Sequence, residues 1–230
     1  MDFIYPARCP ICDKIVMPKG EQICVGCREK LPYIKQPCCK QCGKEILREE
    51  EEYCYDCQKT RHFYTEGRAL FSYNEAMKKS IEAFKYKNRQ EYARFYGKEL
   101  AAAYQKQIKR WEAEAIIPVP IHKSRYLERG YNQAALIAYS LAEYTGLYVE
   151  EKFLFRAKKT KAQKALGTKD RLKNLQDAFH LKKSMVQYKK IILVDDIYTT
   201  GSTADACATV LKKGGVEQIY LLCLCIGSGI

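Results

Sequence analysis

The 230-residue chain reads as an α/β protein on a doubly wound parallel sheet, preceded by a short cysteine-rich segment stapled by metal. Three observations carry that expectation. Beyond residue 60, strand-like runs alternate with helix-like stretches, which implies βαβ units. Residues 191–194 form a continuous apolar run, as a central parallel strand buried on both faces requires. Nine of the twelve cysteines fall within the first 57 residues at repeating intervals. A balance of 47% hydrophobic and 29% charged residues excludes a disordered or fibrous chain. The longest apolar run, residues 219–226, has the length of a strand, so no membrane insertion is expected. Residues 1–10 lack the apolar core of an export signal, so a cytoplasmic location is expected, any membrane association being peripheral, at the inner face and through partners.

The first segment, residues 1–60, repeats itself. Cys9 and Cys12 are followed after eleven residues by Cys24 and Cys27; Cys39 and Cys42, offset by 30, are followed after eleven by Cys54 and Cys57. Each pair presents two thiolates from one tight knuckle, and two knuckles complete a tetrahedral four-thiolate site. Disulfides are the competing use of such cysteines, but a chain without an export signal stays in a reducing compartment. The segment is therefore expected to be a double zinc ribbon holding structural Zn2+, with Cys38 left over. So short a segment, with few large apolar side chains, needs metal to fold. Residues 31–37, with a proline near each end, link the two blocks. The segment holds ten basic and ten acidic residues, so the whole net charge of +13 lies in residues 61–230. A surplus of that size favours an anionic partner: phosphate, nucleic acid or membrane surface.

The second segment, residues 61–230, is read element by element. A short strand covers 68–73. Amphipathic helices cover 75–86 and 90–106, broken at Asn88. Residues 115–120 make a buried strand running into a proline stop. A helix over 132–145 ends at Gly146. The strand over 191–194 leads to a helix over 204–213, closed by Lys212, Lys213 and then Gly214. The last strand is 219–226. Cys207, Cys223 and Cys225 on these last elements are expected to be core thiols. His62 and His180 are expected to be structural, with no evident partner.

The chemistry concentrates after the central strand. Asp195 and Asp196 stand where it ends, followed by Ile197-Tyr198 and the turn Thr199-Thr200-Gly201-Ser202-Thr203. Ligands of open α/β sheets bind outside the carboxyl ends of the strands. Backbone N–H groups at a helix start favour phosphate, and hydroxyls add donors. Two carboxylates above that phosphate suit a diol or a Mg2+-bound sugar. The alternative is a sheet terminus and helix cap with no ligand.

This run resembles the phosphoribosyl pyrophosphate (PRPP) signature of type I phosphoribosyltransferases. The resemblance extends to the ComF family of double-zinc-ribbon, phosphoribosyltransferase-like proteins. It is carried by the cysteine array, Pro118-Val119-Pro120, His122-Lys123-Ser124-Arg125, Arg129-Gly130-Tyr131-Asn132-Gln133, Arg156, residues 159–163, Arg171, Asn174 and Ala178-Phe179. It implies a type I phosphoribosyltransferase-like sheet. It further implies ribose hydroxyls on Asp195 and Asp196, the 5-phosphate on Thr199, Thr200, Gly201, Ser202 and Thr203, and Mg2+ bound with PRPP. The loop over 121–130 would then contact pyrophosphate through His122, Lys123, Arg125 and Arg129, and its cationic composition suits that role independently.

Two stretches stay open. Residues 152–173 hold nine basic side chains and one acid. They suit a loop closing over PRPP, a nucleic-acid contact or a solvated loop alike. Phe84, Lys85, Tyr86, Lys87, Arg89, Tyr92, Arg94, Phe95, Tyr96 and Lys98 interleave rings and cations as single-stranded DNA would require. Aromatics at helical spacing equally face a core. The resemblance, together with the basic charge, implies DNA uptake in natural competence as the function: a protein binding single-stranded DNA and PRPP, with other uptake proteins, such as a helicase-type ATPase, as partners. The alternative is an active phosphoribosyltransferase of unknown acceptor.

Overall fold

The computed structural model describes residues 6–18, 20–157, 177–182 and 187–227. In chain order, the helices are α1 (Val25–Arg28), α2 (Tyr55–Lys59), α3 (Glu75–Tyr86), α4 (Tyr92–Trp111), α5 (Lys123–Arg129), α6 (Gln133–Thr145) and α7 (Ser202–Lys213). The strands are β1 (Glu66–Ser72), β2 (Ala115–Pro118), β3 (Tyr148–Val149), β4 (Leu154–Arg156), β5 (Phe179–Leu181), β6 (Lys190–Tyr198) and β7 (Gln218–Ile226). The main sheet is parallel throughout, in the order β1-β7-β6-β2-β3. Its strands are apolar on both faces: Ile191 to Val194 and Leu221 to Ile226 are buried. Alternation along β6 divides the core. Ile192 and Val194 pack with α3, α4 and α6 through Phe84, Leu100 and Ile137. Ile191 and Leu193 pack with α7 through Cys207 and Leu211.

The connection after β2 turns toward β3, while the connection after β6 turns the other way, toward β7. The connections leaving the carboxyl ends of β2 and β6 thus diverge at a topological switch point, where open α/β sheets keep their ligands.

Several elements depart from the sequence reading for identifiable reasons. α4 continues past residue 106 to Trp111, across non-helical backbone at Tyr104 (φ −119°). The extra turn is held by Glu66, whose carboxylate accepts from Gln107, Arg110 and Trp111 Nε1 at 2.9–3.1 Å. Residues 123–129 form α5 instead of open loop, because His122 Nδ1 accepts from Ser124 N at its start and left-handed Gly130 (φ 82°) ends it. β6 carries on through the two aspartates to Tyr198, paired to Ile226 of β7. The antiparallel pair β4–β5 is an addition, packed through Leu154 and Phe179 into the α7 face. Phe84, Tyr92, Phe95 and Tyr96 are all buried, so the ring-and-cation stripe is core on its aromatic side; among those rings only Tyr86 is exposed. His62 and His180 do have partners: Asp205 Oδ2 at 2.8 Å and the Asp177 carbonyl at 3.2 Å. Residues 158–173 of the basic stretch, including 159–163 and Arg171, lie outside the described residues, as does Asn174.

The cysteine-rich segment grips the sheet from both faces. Cys9, Val16, Ile23 and Leu31 join the α3–α4 side of the core. Asp13, in left-handed backbone (φ 57°), receives Arg89 at 2.9 Å and the Tyr92 hydroxyl at 2.8 Å. Cys39, Cys42, Ile46 and Cys54 join the α7 side with Tyr64 and Tyr198. Between them the linker runs antiparallel along β1. Ile34 N donates to the Leu70 carbonyl and Ser72 N to the Pro32 carbonyl, at 3.0 and 2.8 Å.

Candidate functional site

The cysteines gather as two sets, Cys9/Cys12/Cys24/Cys27 and Cys39/Cys42/Cys54/Cys57, with all four Sγ atoms of each set within 4.8 Å of one another. A tetrahedral ion with Zn–S bonds near 2.3 Å separates its sulfurs by roughly 3.8 Å. The Cys12–Cys24 and Cys42–Cys54 sulfurs lie 3.8 and 3.7 Å apart. Burial, with the neighbouring Cys12 and Cys9 sulfurs, pushes the Cys24 thiol up to about 11 and the Cys27 thiol up to about 12. Four crowded thiols cannot all ionise without a cation among them, so the donor set fits Zn2+ held by four thiolates. Cys38 stays outside both sets.

The second site is a cleft of about 420 Å3 at the switch point. Its floor is Asp195 and Asp196. Its walls are the β2 loop, the start of α6, the end of α3 and the turn before α7. Because side chains alternate along a strand, the two carboxylates face opposite sides of the sheet. Asp196 meets Lys85 of α3 in an ion pair. Asp195 lies toward Arg156 and Cys207. Burial, together with the neighbouring Asp196 charge, raises the Asp195 carboxyl well above its ordinary value. Asp195 Oδ1 accepts from the Asp196 backbone N–H at 2.8 Å, and a buried carboxylate so placed suits a cation or further hydroxyl donors.

The turn before α7 is shaped by Gly201 (φ 78°), the residue preceding the first turn of the helix. A Cβ there would lie 2.5 Å from the Tyr198 hydroxyl and 2.8 Å from His62 Cε1, so only glycine fits. Thr199 and Thr203 line the cleft. Thr200 and Ser202 share a hydroxyl hydrogen bond of 2.8 Å at the exposed edge of the turn. The α7 N-terminus, with its unshared N–H groups, thus opens beside the carboxylates, as an anion seat requires.

Across the floor, His122, Arg125 and Arg129 line the cleft, and exposed Lys123 does not. Asn132 caps α6, accepting from Ala134 N while donating to the Val119 carbonyl at 3.0 Å. Arg129 donates to Gln133 Oε1 at 2.8 Å and to the Tyr86 hydroxyl at 2.9 Å, its guanidinium 4.8 Å above the Tyr86 ring. That bond fixes the amide of Gln133, which is 2% exposed, and leaves Gln133 Nε2 buried without a partner. A buried donor lining a cleft calls for an acceptor from a ligand.

The structure therefore brings Asp195, Asp196, Thr199 and Thr203 to one cleft with His122, Arg125 and Arg129, while Thr200, Gly201 and Ser202 build the turn behind it. Sequence reasoning missed Lys85, hidden in the ring-and-cation stripe. It carried Gln133 and Arg156 in the family resemblance without a role. No local signal marks Lys85, whose meaning comes from the Asp196 it meets.

A parallel sheet with paired aspartates and a hydroxyl-rich turn at its switch point defines an open α/β protein with a ligand-sized cleft, here joined to a double zinc ribbon. Residues 1–58 match the double zinc ribbon domain family. The chain is 33% identical over 204 residues to competence protein F of Haemophilus influenzae, covering 86% of this chain and 88% of that protein. It is 28% identical to competence protein ComFC of Bacillus subtilis, covering 89% and 84%. Over 112 residues, 49% of each chain, it is 34% identical to the DNA utilization protein YhgH of Salmonella typhi. A solved glutamine PRPP amidotransferase from B. subtilis, complexed with ADP and GMP, has 19% identity and a TM-score of 0.40, covering 59% of this chain and 26% of that one. That likeness is too distant to bear on function. The chain belongs to the competence protein F (ComF) family. Among its described residues, no helix is long and apolar enough to cross a membrane.

Proposed function

We propose that the cleft binds PRPP with Mg2+, and that the protein serves DNA uptake by binding single-stranded DNA as well. One observation carries the first half. A glycine-shaped turn at a helix N-terminus, a carboxylate pair and a wall of cations converge on one cleft at the switch point. The turn suits the 5-phosphate, the carboxylates suit the ribose hydroxyls and a Mg2+, and Arg125, Arg129 and Gln133 suit the remaining phosphoryl oxygens. The competence and DNA-utilization names of the relatives support the second half. So does the +13 charge. With most of its rings buried, the α3–α4 region would hold DNA by cations and by exposed Tyr86, not by a stacking platform.

Calorimetry of Mg2+-PRPP tests the first half: micromolar to millimolar binding by the native chain, abolished by Asp195→Asn with Asp196→Asn. Native protein that ignores millimolar PRPP would refute it. DNA binding that falls steeply with added salt is expected of a phosphate-directed surface; salt-insensitive binding would refute the second half. Pyrophosphate release in the presence of an acceptor would extend binding to transfer.

A further inference from the structure

The residues gripping the phosphate turn from behind come from the other end of the chain. His62 Nδ1 lies 2.8 Å from Asp205 Oδ2, and Phe63 N donates to Asp205 Oδ1 at 2.8 Å. Both side chains are almost fully enclosed, at 1% and 4% exposure. Asp205 belongs to the first turns of α7, and its backbone N–H bonds to the Gly201 carbonyl at 2.8 Å. A carboxylate there would ordinarily serve the free N–H groups of its own helix. Here both oxygens turn away, to residues 62 and 63, leaving the helix terminus clear.

The imidazole itself is a wall of the turn. Its Cε1 edge stands where a Cβ on Gly201 would fall, and its face stacks on Tyr64 at 5.0 Å between centroids. A carboxylate only accepts, so Nδ1–H donates to Asp205, and the ring's other nitrogen is Nε2. It faces the Tyr198 hydroxyl at 3.4 Å, and that hydroxyl also meets Tyr64 Oη at 2.9 Å. Tyr64 is in turn tied to the second ribbon, where Gln41 Nε2 donates to its carbonyl at 3.0 Å. A line of contacts thus runs from the second cysteine cluster through Tyr64 and His62 to Gly201.

We propose that His62 and Asp205 are a positioning pair, which holds the 199–203 turn in its phosphate-ready shape by bracing it against the segment leaving the second cysteine cluster. The proposal rests on the reading of that turn as a phosphate seat, and predicts that the seat fails when the brace is cut, although neither residue touches the ligand.

The test uses the full zinc-loaded chain with His62→Ala, His62→Asn and His62→Gln. The Asn amide nitrogen reproduces the δ nitrogen of histidine, and the Gln amide nitrogen the ε nitrogen. Zinc content and thermal unfolding select variants that fold. Should His62→Ala fail to fold, Asp205→Asn takes its place. Ribose 5-phosphate is titrated by calorimetry, and amide exchange of residues 198–205 is followed without ligand. His62→Ala is expected to weaken binding about ten- to a hundredfold, the scale on which misplaced binding groups cost affinity, and to speed exchange in the turn. His62→Asn should restore both and His62→Gln neither. Equal behaviour of the Asn and Gln variants would reduce His62 to filler and overturn the proposal. Native affinity and exchange in His62→Ala would overturn it too. If the native chain binds no ribose 5-phosphate, the phosphate reading fails, and exchange in the turn alone decides whether the brace exists.

Discussion

Asp195 and Asp196 are neighbours in sequence but meet different surroundings, since the strand sends one to each face of the sheet. Asp196 has Lys85 as counter-charge. Asp195 has burial and a neighbouring negative charge, and its carboxyl is raised well above the ordinary value. A raised acid binds its proton more tightly folded than unfolded. Its least unfavourable contribution therefore lies below the unfolded value near 3.8, and stability is lost as pH rises through the folded value. Asp195→Asn is accordingly expected to raise the unfolding midpoint at pH 7 by a few degrees, with the gain vanishing toward pH 4, while removing the PRPP binding proposed for the cleft. A neutral-pH midpoint at or below that of the native chain would contradict this. The aspartates and the turn after them were legible because a strand end, two acids and a glycine lie within one short run. Lys85 and His62 were not, because each takes its meaning from a partner far away in sequence, Asp196 and Asp205.

At the level of elements, α4 and α6 pack unusually close. Gly97 lies where a Cβ would fall 2.4 Å from Ser140 Oγ and 2.7 Å from the Leu141 backbone nitrogen. Alanine favours a helix interior over glycine by about 1 kcal/mol, but the backbone of α6 cannot yield without disturbing Ile137 and Leu141 beneath it. Gly97→Ala is expected to cost a net ~1–2 kcal/mol in urea unfolding, overpacking winning over propensity; a gain in stability would show that the two helices slide freely. Helices with an apolar face and a glycine or lysine end were readable from periodicity. α5 was not, since seven residues between a histidine cap and Gly130 carry no periodic signal. Nor was the β4–β5 pair, whose strands are three residues each and meet only in space.

At the scale of the molecule, the repeat of cysteine pairs foretold both four-thiolate sets, because knuckle spacing is a local matter. It did not foretell that each ribbon contributes to a different face of one sheet, with Cys9 in one half of the core and Cys39, Cys42 and Cys54 in the other. Zinc is therefore expected to stabilise more than the ribbons. Stripping it with a strong chelator should release two equivalents per chain and lower the unfolding midpoint of the whole molecule. A sheet that melts at an unchanged temperature in zinc-free protein would show that the ribbons are carried passively.

The linker between the ribbons has a last consequence. By lying along β1, it occupies hydrogen-bonding groups of Leu70 and Ser72 that an outermost strand would offer to any passing chain. Synthesis or proteolysis that separated residues 61–230 from the ribbons would uncover an adhesive margin beside the large buried surface of Phe71. The fragment would tend to stack on copies of itself, so loss of the ribbon during evolution would require a new guard for that margin at the same time.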